Sequence, residues 1–326
     1  MEKYLSAIIL AYIVIVAVKN PLFFSPETLF DMIRSGSGVM LLALGVLLVL
    51  VSGGIDVSFT AVAIVSSYLS VLTILNLGID NVILASIIAI AIGTGLGAIN
   101  ALLIHYLKLP TLIVTLGTMS VFHGLMAVLF GTKSYPLGQM PDSLANFGSA
   151  NLFTVNTESG RYGLTVFLPI VVAAVVGIWF MLNRTLLGRS VYAIGSDEES
   201  ASRLGISILK VKLFVYCTTG GLAGLMGIIY FSELKYVNPT SLVGTELMVI
   251  AAVVIGGAKL TGGEGTVLGT ILGVVTVQLF DKTLVFLGLS SSWNDLFFGS
   301  VLLASLMVMY RRQRLADRRN LVFVAS

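Results

Sequence analysis

Charge is scarce in this chain: Asp, Glu, Lys and Arg together make up 11% of its 326 residues, against about 25% in soluble domains. Cysteine occurs once, as Cys217 inside an apolar run, which excludes an intrachain disulfide and leaves no thiolate framework for zinc. The two histidines, His105 and His123, stand alone near the ends of apolar runs, without a second ligand at metal spacing. No G-x-S-x-G elbow occurs, and Gly131-Thr132-Lys133-Ser134 reproduces only the end of a phosphate-binding G-x-x-x-x-G-K-[ST] loop. The few titratable residues are scattered, so the sequence offers no constellation for catalysis, binds no metal or cofactor of its own, and is read as a non-enzyme. Its net charge of +3 comes from basic loop edges. These form no stripe with stacking aromatics, so nucleic acid is excluded as a partner.

What the chain has is hydrophobicity, 57% of residues, and 34 glycines. A helix needs about 20 apolar residues to cross roughly 30 Å of hydrocarbon. The sequence predicts an all-α, polytopic transmembrane helix bundle of about ten spans, near residues 4–18, 36–52, 57–76, 82–104, 110–130, 163–182, 211–231, 244–257, 265–289 and 294–310. Almost no length is left for a soluble domain, so residues 1–326 read as one membrane domain. The eighth stretch, VGTELMVIAAVVIG, is short and predicts a tilted, broken or re-entrant segment lined by protein. Tyr4 to Val18 lacks a small-residue cleavage site before Lys19 and Asn20, and reads as an uncleaved first helix.

Basic residues set the orientation. In the ten-span arrangement thirteen Lys and Arg fall on one side, including Lys108, Arg184, Arg189, Arg203, Lys212 and Arg311, and six on the other. Cytosolic loops retain positive charge, which places both termini in the cytosol. It also places there a polar insert at 183–212, NRTLLGRSVYAIGSDEESASRLGISILKVK, whose charges cannot sit in hydrocarbon. Gly131 to Tyr162 and Ser232 to Val243 face outside.

Small residues recur at helix-packing intervals, Gly93 with Gly97 and Gly265 with Gly269 and Gly273, which predicts close helix contact. The pairs Gly53-Gly54 and Gly256-Gly257 sit where apolar runs meet cytosolic loops, a faint internal echo. Within the insert, Asp197 is placed to cap a short helix, Glu198 and Glu199 to complement its dipole, and Gly205 to end it.

Three separated segments carry a resemblance: SGGIDVS at 52–58, LKLPTLIVTLGTMSVFHGL at 107–125 and VVIGGAKLTGGEGTVLGTILG at 253–273. Together, in this order and over essentially the whole chain, they resemble the permease subunit of a bacterial ABC sugar importer, in the group of ribose, galactose and autoinducer permeases. GSDEESASRLGI at 195–206 is similar to that family's cytosolic coupling motif. Gly195, Asp197, Ser200, Ala201, Gly205 and Ile206 hold its positions, with Asp197 for Asn and Ser200-Ala201 for Ala-Ala. His123-Gly124 stand where the family often has Arg-Gly, and Ala101 follows Asn100 where Gly is common.

The resemblance implies an ATP-driven importer permease in the cell inner membrane, pairing with a second permease chain, identical or homologous. It also implies an ABC ATPase that carries the ATP and magnesium, an extracytoplasmic substrate-binding protein, and a monosaccharide or related polyol as cargo. Polar residues in or beside the spans are the candidates for the path: Asp56, Asn100, Thr115, Thr118, Glu246, Gln278 and Asn294. A permease for branched-chain amino acids or nucleosides shares this architecture. A secondary transporter would share the spans and glycine breaks but would work without an ATPase, and the insert argues against it.

Overall fold

The computed structural model describes residues 2–19, 21–157, 160–286, 290, 293–294, 296–300, 303, 307 and 311. The chain runs through α1 (Glu2–Lys19), α2 (Pro26–Val51), α3 (Phe59–Leu77), α4 (Val82–Leu107) and α5 (Thr111–Phe130). After β1 (Tyr135–Pro136), α6 (Asp142–Ser149) and the strands β2 (Asn151–Thr157) and β3 (Gly160–Thr165), it continues into α7 (Phe167–Arg184). The insert folds as α8 (Leu186–Ser196) and α9 (Glu198–Arg203), and is followed by α10 (Ile208–Leu234), β4 (Tyr236–Val237), α11 (Glu246–Ile255) and α12 (Val267–Phe286).

Among the described residues seven helices are long and apolar enough to cross a membrane: α2, α3, α4, α5, α7, α10 and α12. α1 carries a shorter apolar stretch and α11 has only ten residues. The expected span at 294–310 lies largely outside the described residues. The second span begins at Pro26 rather than near 36, because Ser25 caps it by accepting a hydrogen bond from the Thr28 N–H at 3.3 Å and proline fits the first helical position.

The chain is mostly helical, as expected of an all-α bundle, and beside the helices it carries two short antiparallel strand pairs, β1 with β4 and β2 with β3. β1, β2 and β4 lie in the segments expected to face outside, and β3 runs from there into the expected span at 163–182. The strands Asn151–Thr157 and Gly160–Thr165 include Phe153, Thr154, Val155 and Tyr162, a strand-forming composition in a segment too polar to span.

α2, α3 and α10 form the centre. From Met40 to Val51 every residue of α2 is buried, on all faces of the helix. α4 and α10 meet backbone to backbone: a Cβ on Gly97 would stand 2.1 Å from the Tyr216 carbonyl oxygen, and one on Gly93 2.2 Å from that of Gly220. The predicted glycine contact is present, and its partner is a matching glycine face on α10. Gly269 and Gly273 of α12 press in the same way on Gly256 and Ala252. The two glycine pairs share a helix-ending turn, with Gly53 at φ +84° after α2 and Gly257 at φ +99° after α11.

Candidate transport core and coupling interface

Between α2 and α3 the chain is unwound, with Gly54 and residues 56–58 buried. Buried backbone must find its hydrogen-bond partners within the protein, and α5 supplies them. The Ile55 N–H donates to Thr111 Oγ1 at 2.8 Å, the Val57 N–H to Thr115 Oγ1 at 3.4 Å, and the Thr115 hydroxyl to the Ile55 carbonyl at 3.2 Å. Asp56 is fixed in the same knot, accepting from the Ser58 N–H and the Ser58 hydroxyl, both at 2.7 Å. The Asn100 amide on α4 donates to Ser58 Oγ at 2.7 Å. Asp56, Asn100 and Thr115 are thus brought together, and what their hydrogen bonds do is hold the break open. Thr118 bonds back to the Thr115 carbonyl at 3.2 Å.

Glu246 stands apart from that knot. It opens α11, is 8% exposed, and accepts a 2.6 Å hydrogen bond from Thr60 in the first turn of α3. Gln278 lies elsewhere, accepting from Ser35 on α2, and Asn294 donates to Asp281. The structure separates these last two from the central group.

The insert has a buried edge and an exposed edge. Thr185 caps α8 through the Gly188 N–H at 3.1 Å. Asp197 caps α9, with Oδ1 accepting the Glu199 and Ser200 N–H groups at 3.0 Å each. The Ser200 N–H, its hydroxyl and then the Glu199 N–H hold the Asp197 carboxyl below its usual range. At the far end the Gly205 N–H reaches the Ser202 carbonyl and the Ile206 N–H that of Ala201, with Gly205 at φ +83°. This pair of bonds is the glycine stop expected of Gly205. Gly195 and Ala201 point into the protein, while Glu198, Glu199, Arg203 and Leu204 face out. Leu204 is 82% exposed and Leu186 78%; neither was legible as a surface residue from hydropathy. A groove of about 710 Å³ runs between α9 and the α4–α5 turn, bordered by Lys108, Thr111, Glu198 and Lys212.

Gly195 ties the insert to the membrane core. A Cβ there would stand 1.8 Å from the Val51 carbonyl oxygen and 2.7 Å from the Gly263 nitrogen, whose N–H donates to that same carbonyl. A Cβ on Gly262 would stand 2.6 Å from the Gly53 Cα and 2.4 Å from the Gly195 carbonyl oxygen. The end of α2, the end of α8 and the α11–α12 loop therefore meet as bare backbone. Gly262 and Gly263 were not singled out in the sequence, though both lie in one of the segments that carry the resemblance.

Seven membrane-length helices, a protein-lined break and a capped polar insert define a multi-pass membrane transport subunit. The family described as the permease component of branched-chain amino acid transport systems matches residues 28–306, and the chain belongs to that family. It is similar to the autoinducer 2 import system permease protein LsrC of Yersinia enterocolitica, 33% identical over 313 residues, covering 96% of this chain and 83% of that protein. The protein of the same name from Yersinia pseudotuberculosis strain YPIII is 32% identical over 299 residues, 92% of this chain and 81% of its own length. No solved structure matches the chain. The resemblance drawn from three motifs thus agrees with the whole-chain comparisons.

Proposed function

We propose that this chain is the permease subunit of an ATP-driven importer, carrying a monosaccharide or related polyol across the cell inner membrane. Two copies, or this chain and a homologue, form the path. A partner ATPase binding ATP and magnesium docks on α8 and α9, and an extracytoplasmic binding protein delivers cargo to the face bearing α6 and the β2–β3 hairpin. The chain crosses about ten times with both termini in the cytosol, and itself makes and breaks no covalent bond. The insert at 183–212 is the coupling loop, with Gly195, Asp197, Ser200, Ala201, Gly205 and Ile206 shaping it.

The observation that carries this reading is the two-edged insert. Its outer edge offers Leu186, Glu198, Glu199, Arg203 and Leu204 to a partner, while its inner edge is seated through Gly195 on the ends of α2 and the α11–α12 loop. Motion imposed on the outer edge reaches the membrane helices through backbone contact, which alternating access requires. The names of the LsrC relatives favour a sugar-like cargo; the family description keeps branched-chain amino acids as the second reading.

Purification from native membranes in mild detergent, with mass spectrometry of the retained proteins and uptake assays in vesicles, tests this. An ATPase with phosphate-binding loops, an exported binding protein and ATP-dependent uptake are expected. Uptake that persists without any ATPase and follows an ion gradient would replace the reading with a secondary transporter.

A further inference from the structure

We infer that Tyr192 is the positioning residue through which the insert pulls on the membrane helices: its hydroxyl makes α8 and the inner ends of α11 and α12 move as one body in both directions of the cycle. The inference rests on the permease reading and adds to it a residue outside the motif positions named above.

The body that receives the motion is stiff. Between α11 and α12 the chain turns back on itself, with the Lys259 N–H donating to the Glu264 carbonyl at 3.0 Å and the Gly262 N–H to that of Lys259 at 3.2 Å. The Lys259 ammonium and the Glu264 carboxylate close the same turn as an ion pair. At its root the two helices lie backbone on backbone: a Cβ on Gly256 would stand 2.3 Å from the Gly269 carbonyl oxygen, and one on Gly273 1.9 Å from that of Ala252. Packing this close leaves α11 and α12 no room to slide past each other. What moves the loop moves both helices.

α8 holds that loop at two points about one turn apart. Gly195 meets Gly262 and Gly263 as bare backbone. Three residues earlier, about 4.5 Å along the helix axis, the Tyr192 hydroxyl donates at 2.7 Å to the carbonyl of Gly265, just before α12 begins. The two attachments differ in what they carry. Van der Waals contact resists compression steeply but gives up much of its small attraction over the first ångström of separation, so Gly195 transmits a push toward the loop. A hydrogen bond weakens when it is lengthened or bent, so Tyr192 also transmits a pull. Gly265 is well placed to receive it, because a Cβ there would stand 2.8 Å from the Val51 side chain and 2.9 Å from that of Leu47, both on α2. The pull therefore reaches the end of α2 as well as α12. Alternating access needs both strokes, since the helices must return before the next cargo is taken.

The test uses the full complex purified with its ATPase. Cys217→Ser removes the single native thiol, and spin labels are placed on cysteine pairs at exposed positions: Arg189 with Thr261 across the α8–loop seam, and Leu109 with Thr261 as the reference to the α4–α5 turn. Separations are read by electron paramagnetic resonance in the resting complex and after trapping with ATP and vanadate. With Tyr192 present, the Arg189–Thr261 separation should be the same in both states while the Leu109–Thr261 separation changes. Tyr192→Phe removes one oxygen and keeps the ring; in one of the two states it should raise the share of molecules in which α8 and the loop have parted by about fivefold, the scale of one neutral hydrogen bond. A Leu109–Thr261 separation that vanadate does not move, an Arg189–Thr261 separation that changes with state while Tyr192 is present, or a Tyr192→Phe complex whose two pairs behave as before would each overturn the inference. A Tyr192→Phe complex of lower yield and ATPase rate whose Arg189–Thr261 separation is still equal in both states would do the same, since it marks a merely structural role. A wild-type preparation that retains no ATPase fails the permease reading itself, and shows it before any variant is made.

Discussion

Gly195 lies against the carbonyl of Val51 so closely that a Cβ would stand 1.8 Å from that oxygen. Gly195→Ala must push α8 off the end of α2. Overpacking of this kind costs about 1–3 kcal/mol, so the variant should unfold at lower temperature and lose uptake. Gly95→Ala, on α4 with nothing within 4 Å of the added carbon, is the control and should lose neither. Thermal unfolding and vesicle uptake, measured side by side, check both.

Thr115 serves the unwound backbone on both sides, accepting from the Val57 N–H and donating to the Ile55 carbonyl. Thr115→Val keeps the shape and removes both bonds. Leaving buried backbone groups unpaired costs about 1–3 kcal/mol, so the midpoint of thermal unfolding should fall, and Thr115→Ser should recover most of it. An unchanged midpoint for Thr115→Val would show that the break does not depend on α5.

The Asp197 carboxyl is held below its usual range by the N–H groups it caps. A carboxyl lowered on folding stabilises above its unfolded value, about 4, and loses that contribution as pH falls through the lower folded value. Protection of the amides of residues 199–204, taken relative to an unstructured chain at the same pH, should therefore hold at neutral pH and be lost only in acid, below the usual carboxylate range. Asp197→Ala should lose that protection at neutral pH as well.

Charge reversal at Glu198 and Glu199, with Arg203 intact, should weaken recovery of the ATPase while leaving insertion unchanged. The same reversal frees Lys212 from its 2.8 Å contact with Glu198. Leu204→Asp should act in the same direction without touching that pair. Complex yield and uptake equal to wild type for both variants would count against docking at the exposed edge.

Arg34 joins α2 to α6 and β2, donating to the Gly148 carbonyl and at 2.6 Å to Asn151 Oδ1, with its guanidinium 5.9 Å from the Phe167 ring centre. Arg34→Ala should loosen the hairpin by about 1.5–3 kcal/mol, the range for hydrogen bonds to a charged group. Faster proteolysis between residues 151 and 165, with uptake measured alongside, checks it.

Helices were the legible part of this chain because lipid imposes one crude rule, about twenty apolar residues per crossing. The cap at Asp197 and the stop at Gly205 were legible for the same kind of reason, since both are local. The hairpin at 151–165 escaped a reading tuned to hydropathy, because its strands are short and half polar. The site was legible as residue types but not as groupings. Asp56, Asn100 and Glu246 are equally polar in the sequence, yet only tertiary structure knots the first two to Ser58 and leaves the third with Thr60 alone. Val51 shows the limit most plainly, because what it offers Gly263 is a main-chain carbonyl that its side chain does not announce.

The meeting of Val51, Gly53, Gly195 and Gly262 has no rotamers in it. Where two helices mesh through leucines, a small shove is absorbed as side chains swing to new angles, and the far side hardly notices. Peptide planes stacked on peptide planes have no such slack. A displacement of the insert by a few tenths of an ångström passes straight to the end of α2 and the α11–α12 loop, as in a gear train without backlash.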